Sequence, residues 1–368
     1  MRNFILYQDG SSDDYIALCL ITAMLRKSGG KLAGIITAGT GEVDAKCGLQ
    51  NVLEICNALG LEQIILGQGE DKRINPEFGQ SFPSYIRSFI DTLPALIGLK
   101  SSPTIDKFPN AVESFHHIIS QSDEPVVIIA TGPLTDLDLL FANYPEDKKK
   151  VEIVMMGGAI HVPGNIQDLD PQIPNKVAEW NIFADIAAAR NVIASGVPLL
   201  MVPLDVTQHI RVTENFYKQL EEIAQKQPTS AISLVYKLIT ALKVAFEKEH
   251  PEINFFQVYY LWDPFAAMIA LEPAFAKIEE KYIQVVLETG KTEEVEQSAE
   301  GVGRIRVATD IAKPAEEILN HLIEIISSLP PPSNQNEKVT PWCAMFGSVN
   351  PQKTENAAQG EPYLQFHN

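Results

Sequence analysis

No two cysteines of this chain stand at C-x-x-C spacing, and there are only four in 368 residues: Cys19, Cys47, Cys56 and Cys343. A thiolate metal knuckle and a disulfide-stapled scaffold are thereby excluded, and the pattern reads as reduced, partly buried thiols of a cytosolic protein. Long apolar runs are also missing; none approaches the roughly 20 residues needed to span a bilayer. Met1-Arg2-Asn3 leads straight into an apolar strand, without the segments of a secretory leader. The expectation is a cytoplasmic protein that does not enter membranes. Basic residues are in the minority, 29 against 47 acidic, for a formal charge of −18. That balance opposes binding to nucleic-acid phosphates or anionic lipid and leaves small neutral ligands and cations as the expected partners. Internal repeats are absent.

What is present is a chain with 45% hydrophobic residues, enough for a sizeable core. Short apolar runs alternate with longer amphipathic ones, the pattern of a Rossmann-like α/β fold with an open, mostly parallel sheet flanked by helices. Phe4-Ile5-Leu6-Tyr7, Lys31 to Thr37, Ile64 to Leu66, Pro125 to Ala130, Val151 to Met156, Pro198 to Val202 and Tyr282 to Leu287 read as strands. Gly48 to Leu59, Leu134 to Phe141 and Ser230 to Glu249 read as helices. At Pro330-Pro331-Pro332 the composition turns to that of a linker, so residues 1–329 are expected to form one domain and 330–368 a polar tail carrying Trp342, Phe346, Tyr363 and Phe366.

Directly after the first strand, Asp9-Gly10-Ser11-Ser12-Asp13-Asp14 sets three carboxylates within six residues. In an open parallel sheet they fall in the crevice at the strand's carboxyl end. Carboxylates crowded there repel one another unless a cation offsets them, and a hard ion such as Ca²⁺ or Mg²⁺ suits oxygen ligands. Taken singly, Asp13 or Asp14 is explained by helix capping and first-turn charge. Other polar groups share the same topological address. Thr131 follows the strand PVVIIA and can aim a carbonyl inward; Asn165, Glu179 and Asn181 offer amide and carboxylate groups suited to adjacent sugar hydroxyls. Glu179 and Asn181 point the same way if that stretch is extended. Asp263, before Pro264, reads equally well as a helix N-cap.

Together these segments resemble the inosine-uridine nucleoside N-ribohydrolase family over residues 2–325. The resemblance rests on D-x-x-x-D-D at Asp9, Asp13 and Asp14, ATGPLT at Ala130 to Thr135, Met156 to Asn165, E-W-N-I-x-x-D at Glu179 to Asp185, and Trp262-Asp263-Pro264. It implies the nucleoside hydrolase fold, a homodimer or tetramer, and Ca²⁺-dependent cleavage of a ribonucleoside to free base and ribose. By the family pattern Asp9, Asp14, the Thr131 carbonyl and Asp263 hold calcium, Asp9 is general base towards water, and Asp13, Asn165, Glu179 and Asn181 hold the sugar. Nearby carboxylates also suit an oxocarbenium-like centre.

The base end departs from the pattern. Where many members have His-Asp, this chain has Trp262-Asp263, which resembles the purine-preferring inosine-adenosine-guanosine branch, as do Tyr259-Tyr260 and Gly10. A purine stacked between Trp262 and Tyr85 is the corresponding expectation. After the second strand, Thr40 is the nearest fit to a sugar-contacting position, with Glu42 as a substitute. His161 and His250 lie near the relevant loops, but a loop histidine is more often solvent-facing than catalytic. The alternative reading is a non-catalytic, calcium-dependent nucleoside or ribose binder. A phosphotransferase with Asp9 as nucleophile ranks third, because Tyr7 and Gly10-Ser11 flank Asp9 without the second acid such enzymes need.

Overall fold

The computed structural model describes residues 1–330 apart from 62 and 103. Its centre is one nine-stranded sheet built from β1 (Asn3–Gln8), β2 (Lys31–Thr37), β3 (Ile65–Gln68), β4 (Val126–Ala130), β5 (Val151–Met156), β6 (Leu199–Val202), β7 (Ala276–Val285), β8 (Thr292–Val295) and β9 (Val302–Ile311), in the order β3-β2-β1-β4-β5-β6-β9-β7-β8. The first six strands and β9 run parallel, while β7 pairs antiparallel with β9 and β8. Alternation along each inner strand divides the core in two. Phe4 and Leu6 of β1 face one apolar layer with Ile129 and Met156, and Ile5 and Tyr7 face the other with Ile128 and Met155.

Strand order reverses beside β1, whose neighbours are β2 and β4. Loops after β1, β2 and β4 therefore open outward from a shared crevice, the usual place for a ligand in such sheets. Gly10 makes the sharp exit from β1 with φ +87°, and a Cβ there would meet Val43 at 2.6 Å.

The expected inner strands are present within a residue or two of their anticipated limits, whereas the far edge differs. Only Tyr282 to Leu287 is anticipated there, yet β7 begins at Ala276 and the sheet continues through β8 and β9. These strands carry charge on an exposed face, Glu279, Glu280, Arg304 and Arg306 among them, so they lack the apolar run of a buried strand. Cys19 and Cys56 are buried, but Cys47 is exposed. The proposed tail, with its four aromatics and Cys343, lies outside the described residues beyond 330. Among the described residues no helix is long and apolar enough to cross a membrane.

Candidate active site

Asp9 and the first turn of the helix Ser12–Ser28 occupy the crevice. The Asp14 carboxylate accepts the Ser11 amide at 2.8 Å and the Thr131 hydroxyl at 2.5 Å, linking the ends of β1 and β4. Asp13 takes the Ser11 hydroxyl, and the amide of Asp263 also faces its carboxylate. Asp9 is walled in by two glycines: a Cβ on Gly41 would stand 2.0 Å from its Oδ2, and one on Gly132 would stand 2.8 Å from its Cβ. The Glu42 amide donates to Asp9 Oδ2 at 3.2 Å.

Glu42 is more than the substitute inferred from sequence. Its carboxyl lies close enough to Asp13 and Asp14 to be driven up by both, after burial itself. Burial is also the first cause raising Asp9, followed by Asp14 and Glu42. Asp263 is raised by burial and then by Asp13, Asp14, Asp9 and Glu42. Burial and Asp14 push Asp13 up to about 6 against the Ser11 hydroxyl. After burial, the main groups raising these acids are their acidic neighbours in the crevice.

Asp263 does not cap its helix. Trp262–Leu271 begins after Leu261 with no side-chain cap bond, and Asp263, 4% exposed, turns into the acid cluster. Capping therefore fails to account for it. A further correction concerns the stretch from Glu179 to Asn181, which is not extended throughout: Glu179 is extended, but Asn181 lies within a helix. Glu179 is the N-cap of the helix Trp180–Ala184 and accepts the amides of Asn181, Gly158 and Ile182 at 2.9, 3.1 and 3.2 Å. Asn181 donates to the Thr131 carbonyl at 3.0 Å and to the Met156 carbonyl at 3.3 Å, which ties this short helix to the ends of β4 and β5. Asn165 accepts the Trp180 amide at 3.0 Å.

Thr40 is buried, and its hydroxyl meets that of Thr135 at 2.9 Å, which in turn donates to Asp185. Tyr85 is 52% exposed and donates to the Leu169 carbonyl at 2.6 Å. Trp262 is half-buried against Tyr259 and Tyr260, with ring centroids 5.4 and 5.5 Å away, and its buried indole N–H has no hydrogen-bond partner among the described residues. Tyr259, which the sequence marks only by its resemblance to one branch of the family, places its hydroxyl 2.9 Å from Ser12 Oγ, inside the acid end of the crevice.

The donor set suits a hard divalent cation. It consists of buried carboxylate oxygens with a strand-end carbonyl at their edge, and the mutual repulsion that raises these acids is what a cation relieves. A separate trio, His116, Glu146 and Asp147, has ligand atoms within 4.8 Å of one another and could also coordinate a metal. It lies beyond the amino ends of β4 and β5, at the opposite end of the sheet from Asp9, and His116 already bonds Asp147 at 2.9 Å.

The family model of the inosine-uridine preferring nucleoside hydrolases matches residues 4–316. The chain belongs to this family. A probable ribonucleoside hydrolase of Dictyostelium discoideum is 31% identical over 202 residues, 53% of this chain and 54% of that one. A pyrimidine-specific ribonucleoside hydrolase, RihA, of Shewanella sp. (strain ANA-3) is 35% identical over 224 residues, 61% of this chain and 65% of that one. The match thus spans less than two thirds of either relative. Among solved structures, a plant nucleoside hydrolase superposes with TM-score 0.74 at 21% identity, and a purine-preferring ribonucleoside hydrolase from Gardnerella vaginalis with 0.71 at 23%. Each covers 89% of this chain and 99% of the other, which shows the nucleoside hydrolase fold.

The assignment of this nucleoside hydrolase family member to the purine-preferring branch is overturned. Its curated relatives at 31–35% identity include a series of pyrimidine-specific RihA proteins. The physical reason is that an indole face stacks on any nucleobase, so Trp262 carries no purine selectivity by itself.

Proposed function

We propose that this nucleoside hydrolase family member cleaves the N-glycosidic bond of ribonucleosides, pyrimidine ribonucleosides foremost, to free base and ribose, with Ca²⁺ as its ion. One observation carries the reading: Asp9, Asp13, Asp14, Glu42 and Asp263 converge at the carboxyl end of β1, all raised by burial, and Asp9, Asp13, Glu42 and Asp263 raised further by their acidic neighbours. The pyrimidine preference takes its support from the RihA relatives.

Asp9, Asp14, Asp263 and the Thr131 carbonyl would hold the ion. When bound, it would neutralise the cluster and orient ribose hydroxyls and water. Asp9 then takes the proton of the attacking water as general base. Asp13 and Glu179 accept ribose hydroxyls through lone pairs their internal bonds leave free, with Asn165 and Asn181 beside them. Thr40 holds the floor of this pocket, and the base lies against Trp262, with Tyr85 at the rim. A cytoplasmic location and a homo-oligomeric assembly accompany this reading.

A panel of uridine, cytidine, inosine and adenosine, with calcium, with chelator and with calcium restored, tests it. Calcium-dependent base release, fastest from a pyrimidine nucleoside, is the expected result. Release of no base with calcium saturating would sink the hydrolase reading, and calcium-dependent binding without release would favour the non-catalytic one.

A further inference from the structure

Breaking the bond between C1′ and the base leaves its electron pair on the base, where a positioned hydrogen-bond donor lowers the barrier. The indole of Trp262 is a poor proton source, and the two loop histidines face elsewhere: the His161 side chain is 70% exposed opposite Glu294, and His250 is exposed at the end of the helix Ala231–Glu249.

Tyr259 is placed differently. It is 8% exposed, stacked on Phe255 at 5.0 Å and 23° and set edge-on to Trp262 at 84°. Its ring thus belongs to the aromatic wall, while its hydroxyl lies 2.9 Å from Ser12 Oγ, with Asp13 as the carboxylate acting on it most strongly and Glu42 and Asp263 next. The hydroxyl sits where the sugar end of the crevice meets the base end. A pyrimidine presents an oxygen at that boundary, because O2 is carried by the carbon next to the glycosidic nitrogen. That oxygen gains negative charge as the bond breaks.

We propose that the Tyr259 hydroxyl donates a hydrogen bond to the 2-oxo group of the departing pyrimidine, and that Ser12 Oγ–H donates to Tyr259 Oη and so turns the phenol hydrogen towards the ligand. This rests on the hydrolase reading above. The electron pair of the C1′–N bond passes to the base and is shared with O2; the water oxygen bonds to C1′ and its proton goes to Asp9; the base gains its proton from solvent on release. Burial beside Asp13 holds the phenol well above its usual range, so it remains a donor throughout.

The test compares uridine with 4-nitrophenyl β-D-ribofuranoside, whose leaving group has no 2-oxo oxygen and spreads its charge over the nitro group. Tyr259→Phe is expected to lower kcat on uridine by about 10²-fold, and to lower the uridine-to-nitrophenyl rate ratio by at least about 30-fold, with KM for uridine little changed. Ser12→Ala should move the ratio the same way by about 5-fold, and it carries the test if Tyr259→Phe does not fold. Equal losses on both substrates, or an unchanged rate on uridine, would overturn the proposal. A wild-type protein that turns over a purine nucleoside but not uridine would overturn this inference alone, whereas one that releases base from no nucleoside would remove the hydrolase reading, and this inference with it.

Discussion

Beneath the acid cluster, Asp136 is a buried carboxylate held by protein alone. Its Oδ2 accepts the Tyr7 hydroxyl at 2.9 Å and its Oδ1 accepts the Glu70 amide at 2.9 Å. Both bonds favour the charged form, yet burial outweighs them and pushes the group up to about 7. A carboxyl raised on folding stabilises the native state fully below its unfolded value, and that contribution is lost as pH climbs through the folded value. Between about pH 4 and about pH 7, Asp136 should therefore cost the native state on the order of 4 kcal/mol. In Asp136→Asn this slope should vanish, although the variant starts lower at pH 4, since one amide oxygen serves two donors. Chemical denaturation of both proteins across that range, at constant calcium, measures the difference; identical slopes would contradict it. Nothing in the local sequence marks Asp136, because Tyr7 lies 129 residues away and meets it only in the fold.

The loop between β2 and the helix Ala45–Leu59 contributes more to the crevice than its composition suggests. Thr40 and Glu42, adjacent but for Gly41, turn to different partners: Thr40 goes down to Thr135, and Glu42 goes in among the acids. Gly41 lets the backbone run against Asp9, where a Cβ would be 2.0 Å from the carboxylate oxygen. Gly41→Ala should displace Asp9 or the loop and weaken calcium binding by about 10-fold or more, roughly 1.4 kcal/mol, with the far-ultraviolet circular dichroism unchanged. Calorimetric titration with calcium reads this directly, and wild-type affinity in the variant would refute the packing argument. The helix Trp180–Ala184 was legible as a polar motif but not as a helix. At five residues it is too short for apolar periodicity, and it is held by Glu179 capping its own amides.

Across the whole molecule, the sheet gathers acids from loops separated by up to 254 positions, Asp9 to Asp263, into a site whose repulsion opposes folding. A cation bound only by the native state should therefore stabilise the entire domain. At 100 times its dissociation constant, calcium contributes about 2.7 kcal/mol, a rise of several degrees in Tm. Asp14→Asn should abolish most of that rise, because Asp14 joins the first helix to β4 through Thr131 at the centre of the cluster. Scanning calorimetry of both proteins with calcium and with chelator checks this; an equal rise in the variant would place the ion elsewhere, with His116, Glu146 and Asp147 the next trio to probe.

Sequence alone determined the inner sheet and the family. Strands buried on both faces read as unbroken apolar runs, and D-x-x-x-D-D, ATGPLT and E-W-N keep their order whatever the packing. It also placed Asp9, Asp14, Thr131 and Asp263 at strand and helix ends, since local breakers such as Gly10 and Pro264 mark those ends. Only the tertiary structure decided the rest. The edge strands β7, β8 and β9 owe their order to pairing with one another, not to hydrophobic pattern. Whether Asp263 caps a helix or faces a cluster, whether Glu42 joins that cluster, and where the Tyr259 hydroxyl points each depend on contacts between distant segments. Chemistry that depends on distance is settled by the fold, and residue type and spacing along the chain carry no record of it.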